Sequence, residues 1–171
     1  WASYMNRTRE RCIHFYGEHD GREGWASFGD ETTEKPEGFE TGTVSAVSIP
    51  DLRYEDGADT LNILENPYKK FIQPFYYGLT DGDGDLDTSD DTMVYIMMFD
   101  QVAQIRFAMW NFIHDENGQP DTHSPAWDWQ YVIRNPVISR PYGYRARMVY
   151  KSFIDRDDVV NEYNRWKGGL S

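Results

Sequence analysis

The apolar side chains of this sequence recur at every second position in about eight short stretches: Cys12–Tyr16, Thr43–Ser48, Thr60–Leu64, Pro74–Leu79, Thr92–Phe99, Gln104–Phe112, Ala126–Ile133 and Tyr142–Tyr150. A period of two sends alternate residues to opposite faces of an extended strand, which no helix can do. Val, Ile, Tyr, Phe and Trp dominate these stretches, and such side chains suit a pleated, half-buried surface. Glu116-Asn117-Gly118 and Asn135-Pro136 supply turn chemistry between them. The pattern predicts an all-β fold, an antiparallel β-sandwich of jelly-roll type.

The period changes once, near the end. After Asp155, a residue type suited to an N-cap, Val159, Val160, Tyr163 and Trp166 fall at helical spacing, and Gly168-Gly169 stands where a helix would stop. A short C-terminal helix is expected, docking its aromatic stripe on the sandwich; binding a partner helix-first is the sharper alternative. A chain of 171 residues suits a single domain over 1–171. The polar, acidic stretch 29–42 reads as a surface loop within it. The sequence opens at Trp1 without a basic or apolar leader, so we expect a processed chain or a segment or subunit of a larger assembly.

Charge and cysteine narrow the partners. Twenty-nine acids against 17 bases give a net charge of −12, which repels phosphate backbones and anionic headgroups, so neither nucleic acid nor membrane is expected. The longest apolar run, Met93–Phe99, is seven residues, too short to cross a bilayer. One cysteine, Cys12, excludes a disulfide framework and any multi-cysteine metal site. Within an apolar strand it reads as a small buried side chain, not a nucleophile.

Asp81-Gly82-Asp83-Gly84-Asp85-Leu86-Asp87-Thr88-Ser89-Asp90-Asp91 places six carboxylates in eleven residues. Such crowding is costly unless a cation neutralises it, and calcium takes six to eight oxygen ligands from flexible loops. The stretch 79–92 resembles the calcium loops of EF-hand and dockerin proteins. With Gly84 at the glycine position, the resemblance implies ligands from Asp81, Asp83, Asp87 and Asp90; a register beginning at Asp81 keeps Asp81 and Asp83 and adds Asp85. The bound ion is expected to be Ca2+, in a structural role. A solvated acidic hairpin, with its Asp-Gly pairs as turn formers, is the competing reading. Calcium loops tuned to millimolar ion favour an extracellular or periplasmic protein.

Alternation also sorts the polar faces. Arg106 and Trp110 share one side of their strand, Asp128 and Gln130 one side of the next, and Arg145 and Arg147 one side of a third. If those strands are neighbours, one sheet surface gathers a flat ring with planar donors and acceptors, chemistry suited to carbohydrate. The opposite stripes, Trp127, Trp129 and Tyr131 with Tyr142, Tyr144, Met148 and Tyr150, are expected in the core but offer a second trough.

Catalytic signatures are sparse: no phosphate-cradling glycine loop, no Gly-x-Ser-x-Gly elbow and no His-Glu-x-x-His helix occur. Glu18-His19-Asp20 beside a turn, and His114 with His123 around another, are the candidate acid/base groups. The sequence reading is a carbohydrate-recognising sandwich with structural calcium, an accessory module or subunit of a carbohydrate-active system. A small polysaccharide lyase or glycoside hydrolase is the alternative, and a structural or adhesion domain the second. A protein partner or a homo-oligomer is compatible with each.

Overall fold

A computed structural model of the chain describes residues 5–28, 42–48, 69–83, 91–110, 125–133 and 135–170. The expected strand Thr60–Leu64 and the turn at Glu116–Gly118 lie outside these residues. The described elements are β1 (Ile13–His19), β2 (Arg22–Phe28), β3 (Gly42–Ser45), β4 (Lys69–Phe71), β5 (Phe75–Asp81), β6 (Thr92–Phe99), β7 (Ile105–Trp110), β8 (Ala126–Tyr131), β9 (Ala146–Ser152) and α1 (Arg156–Gly168). They form two sheets, β2-β1-β5-β6-β9 with β4 also on β1, and β3-β7-β8, in which every strand pairing is antiparallel. This is an all-β sandwich with one C-terminal helix.

Two hairpins follow directly from local sequence. Asp20 and Gly21 both take positive φ, 49° and 74°, and join His19 to its partner Arg22 in the tight turn that antiparallel strands favour. The β5–β6 hairpin pairs Asp81 with Thr92 and so closes the aspartate-rich stretch at its base. After β6 the chain crosses to the small sheet for β7 and β8, then returns to pair β9 with β6.

The apolar alternation fills two layers. Phe15, Phe71, Tyr76, Phe99, Phe107 and Trp127, all fully buried, lie between the sheets. Phe107 is central, stacked on Phe71 at 4.1 Å and meeting Tyr76 edge-on at 5.1 Å. On the outer side of the large sheet, Phe75, Tyr77, Ile96 and Met98 receive Val159 and Tyr163 of α1. Both faces of β5 and β6 are therefore covered, which is why β6 reads as a continuous apolar run. Asp155 caps α1 as expected, its Oδ1 accepting from the Asp158 N–H at 2.8 Å. Trp166 packs on this layer but is only partly buried, so the stripe rests mainly on Val159 and Tyr163.

Candidate functional site

The residues preceding β1 run along β5 out of step with it. Thr8 bridges Thr80 and His14 pairs with Tyr77, so six residue steps on one side face three on the other. The surplus forms a wide bulge, the kind of irregularity that re-aims side chains. Arg7, with φ 56°, stands at its start. Out of this bulge Arg9, Glu10 and Cys12 reach two separate clusters.

In the first cluster, Arg9 Nη2 donates to Asp81 Oδ1 at 2.7 Å and to Asp91 Oδ1 at 2.9 Å. Asp81 is buried, Asp91 half-buried and Asp83 exposed, and one oxygen of each lies within 4.8 Å of the others. Three carboxylates so placed can hold a metal ion. Asp91 Oδ2 is buried without a hydrogen-bond partner, and Gly82 lets the chain turn close by: a Cβ there would stand 2.8 Å from Asp91 Oδ2. Asp81 and Asp83 of the expected ligand set thus come together, whereas Asp85, Asp87 and Asp90 lie outside the described residues. Asp91 is a candidate ligand that the loop registers missed. Its signal was the hairpin: the residue before a strand start paired to Asp81 must sit beside it. Arg9 also supplies part of the neutralising charge that the sequence reading assigned wholly to a cation.

The second cluster was not anticipated. Glu10, Cys12 and His14 alternate along the chain and point the same way. Glu10 Oε2 lies 2.6 Å from His14 Nε2 and accepts from the Cys12 thiol at 3.3 Å, while Cys12 Sγ is 3.5 Å from His14 Nε2. Cys12 is fully buried, as its apolar setting suggested, yet it faces two polar ligand types and not only hydrocarbon. The His14 ring stacks on Tyr77 at 4.8 Å, and the Tyr77 hydroxyl accepts from Arg156 Nε at 3.1 Å. The His14 hydrogen bond, foremost, holds the Glu10 carboxyl below its ordinary range despite partial burial, with Cys12 and Arg156 contributing.

The surface expected to bind sugar is divided by the fold. Arg106 and Gln130 are direct partners across β7 and β8, with Arg106 Nη2 donating to Gln130 Oε1 at 3.0 Å, and Asp128 lies on the same face opposite Ala108. Arg106 and Asp128 are buried, so they form interior polar structure and not an open binding surface. Trp110 ends β7, and its side chain lies outside the description. Arg145 and Arg147 belong with β9, which pairs with β6 in the other sheet. The expectation that the three strands are neighbours is therefore corrected: alternation gives the face of a side chain but not the sheet to which its strand returns.

Of the opposite stripes, Trp127 and Trp129 lie in the core as expected, whereas the β9 part stays open. Tyr150 pairs with Tyr95 and Met148 with Met97, so both lie on the inner face of the large sheet. The small sheet ends at β8, whose Trp127 and Trp129 cover Tyr95 and Phe99 of β6. Among the described residues the small sheet has no strand beyond β8, and Tyr150 and Met148 are 51% and 57% exposed. Tyr150 is tethered by its hydroxyl, 3.1 Å from Thr80 Oγ1. At the other end Tyr144 packs on Trp129 at 5.0 Å and on Tyr131 at 4.8 Å. On the outer side, a separate open cleft of about 510 Å³ is lined by Gln73, Asp100, Gln101, Tyr163, Asn164 and Lys167 among others.

The acid/base candidates gain little. His19 Nε2 lies 3.2 Å from Asp20 Oδ2, but both are well exposed at the hairpin tip. Glu18 pairs with Glu23 and Lys70 in the strand registers and, by alternation, points to the other face. His114 and His123 lie outside the described residues. No helix among the described residues is long and apolar enough to cross a membrane.

No family model, curated protein or solved structure matches this chain.

Proposed function

We propose that the protein recognises carbohydrate on the overhanging inner face of β9, with a calcium ion at the Asp81–Asp83–Asp91 cluster in a structural role. The exposure of the tethered Tyr150 ring carries the reading: a flat aromatic surface, fixed in place and left uncovered, suits the apolar C–H face of a sugar. From Tyr144 to Tyr150 the stripe spans about 20 Å at the rise of a strand, room for several sugar rings.

Three carboxylates and a close backbone turn suit calcium, which accepts irregular oxygen sets, better than magnesium, which demands near-octahedral ligands. A low-affinity site of this kind fills where calcium is millimolar, and this supports an extracellular or periplasmic setting. A lyase would require a histidine or tyrosine base at an open surface. Tyr77 beside Arg156 offers the residue types, but Tyr77 is 2% exposed and its hydroxyl is already engaged.

The test is a glycan array followed by calorimetry on the best polysaccharide. Tyr150→Ala should weaken binding about tenfold, near 1.4 kcal/mol, the scale of one lost aromatic contact. Unchanged affinity in Tyr150→Ala and Tyr144→Ala, with loss in Asn164→Ala, would move the site to the 510 Å³ cleft. A change of oligomeric mass in the β9 variants, with no glycan bound by the parent, would overturn the proposal.

A further inference from the structure

We infer that Glu10, Cys12 and His14 form a site for a borderline divalent transition metal, with Zn2+ as the best fit. The inference is independent of both the glycan reading and the calcium cluster. Thiolate, imidazole and carboxylate are the three protein ligand types that zinc takes, and three of them with one open position is the arrangement of an accessible zinc centre. Here Sγ, Nε2 and Oε2 converge within 4.8 Å of one another.

The distances fit a metal better than a catalytic relay. Ligands at about 2.0 to 2.3 Å from a tetrahedral ion lie roughly 3.3 to 3.7 Å apart. Cys12 Sγ is 3.3 Å from Glu10 Oε2 and 3.5 Å from His14 Nε2. Only the Glu10–His14 contact, 2.6 Å, is shorter, as a hydrogen bond must be. Replacing that proton by the ion would spread the pair. A nucleophilic thiol, by contrast, needs histidine to engage the thiol through one ring nitrogen and its carboxylate through the other. In this structure Glu10 and Cys12 both address Nε2, the pattern of ligands around a shared point.

Binding balances simply. The Cys12 thiol loses its proton to solvent, and His14 binds as the tautomer with its ring proton on Nδ1, so Sγ and Nε2 each present a lone pair; the Glu10 carboxylate binds as it stands. The site is held ready from behind. His14 is fixed by its stack on Tyr77, which is fixed in turn by Arg156. Glu10, 40% exposed, stands on the solvent side of the cluster. Calcium, a hard ion seeking six or more oxygens, is a poor match for sulfur and nitrogen.

The experiment titrates Co2+ into the reduced wild-type protein and follows its visible spectrum. Tetrahedral ligand-field bands together with a thiolate-to-cobalt charge-transfer band, at one equivalent and displaced by Zn2+, are expected. Glu10→Gln, on the exposed side and so tolerated by the fold, should weaken cobalt binding by on the order of 100-fold, since even indirect support of a ligand is worth 10 to 100. Cys12→Ser should abolish the charge-transfer band. Asp91→Asn should change neither. Absence of the charge-transfer band in folded wild-type protein, or cobalt affinity unaltered in Glu10→Gln, overturns the assignment whatever the other variants do.

Discussion

Arg9 Nη2 donates to Asp81 Oδ1 at 2.7 Å across 72 positions of sequence, and the same nitrogen reaches Asp91. The side chain of Asp81 is fully buried and that of Arg9 only 14% exposed. A guanidinium thus neutralises part of the charge of this carboxylate cluster. Removing one member of such a pair strands the other charge, so Arg9→Met should cost about 3 kcal/mol. Because the variant leaves Asp81 and Asp91 without that partner, added Ca2+ should raise its melting temperature more than it raises that of the parent. Equal calcium-induced shifts in thermal denaturation would show that ion and guanidinium do not share these carboxylates.

Gly78 lies under the indole of Trp127, and a Cβ on it would come within 2.3 Å of the ring. Trp127 cannot retreat easily: it is fully buried and its Nε1 donates to Arg11 O at 3.0 Å. Gly78→Ala should therefore destabilise by about 2–3 kcal/mol through overpacking, measured by urea denaturation. A change within a few tenths would mean that the sheets separate more freely than their packing implies.

Helix docking rests on unequal residues. Tyr163 is 3% exposed, tilted against Phe75 at 4.8 Å, whereas Trp166 is only partly buried. Tyr163→Ala should cost about 3 kcal/mol, and Trp166→Ala less than half as much. The reverse order in chemical denaturation would place the weight of the stripe at the wrong end.

Lys151 ties β9 to α1, its Nζ 2.6 Å from Asp158 Oδ2 and 2.9 Å from Glu162 Oε1. Burial alone would lower its pKa, but the hydrogen bonds to the two carboxylates outweigh it and hold the pKa above the ordinary 10.5. A folded-state value raised above the unfolded one stabilises fully below 10.5 and is lost as pH rises through the folded value. Lys151→Met should thus be less stable than the parent at neutral pH by about 1 kcal/mol, and the gap should narrow in alkaline solution. A gap independent of pH would assign the loss to packing of the aliphatic stem.

Local chemistry left a clear record in the sequence. Asp20-Gly21 announced a turn because few residues accept positive φ, and Asp155 announced a helix start because an orphan N–H needs an acceptor. Strands β2 and β4 were missed. Glu23, Gly24, Ala26 and Ser27 carry little strand propensity, and β4 is three residues long; each forms because β1 presents an edge to pair with.

By itself the sequence determined the period, and through it the all-β class, the terminal helix and the two faces of each strand, because these depend on neighbours two to four positions apart. It also marked the aspartates as a charge that something must neutralise. Only the tertiary structure decided what that something includes, since Arg9 reaches Asp81 through a bulge whose register no periodicity records. Only it returned β9 to β6 and left Tyr150 uncovered, while burying Arg106 and Asp128. It likewise turned a Glu-x-Cys-x-His spacing into three converging ligand atoms. Each of these depends on which distant strand lies alongside, and a side-chain pattern of period two is silent about that.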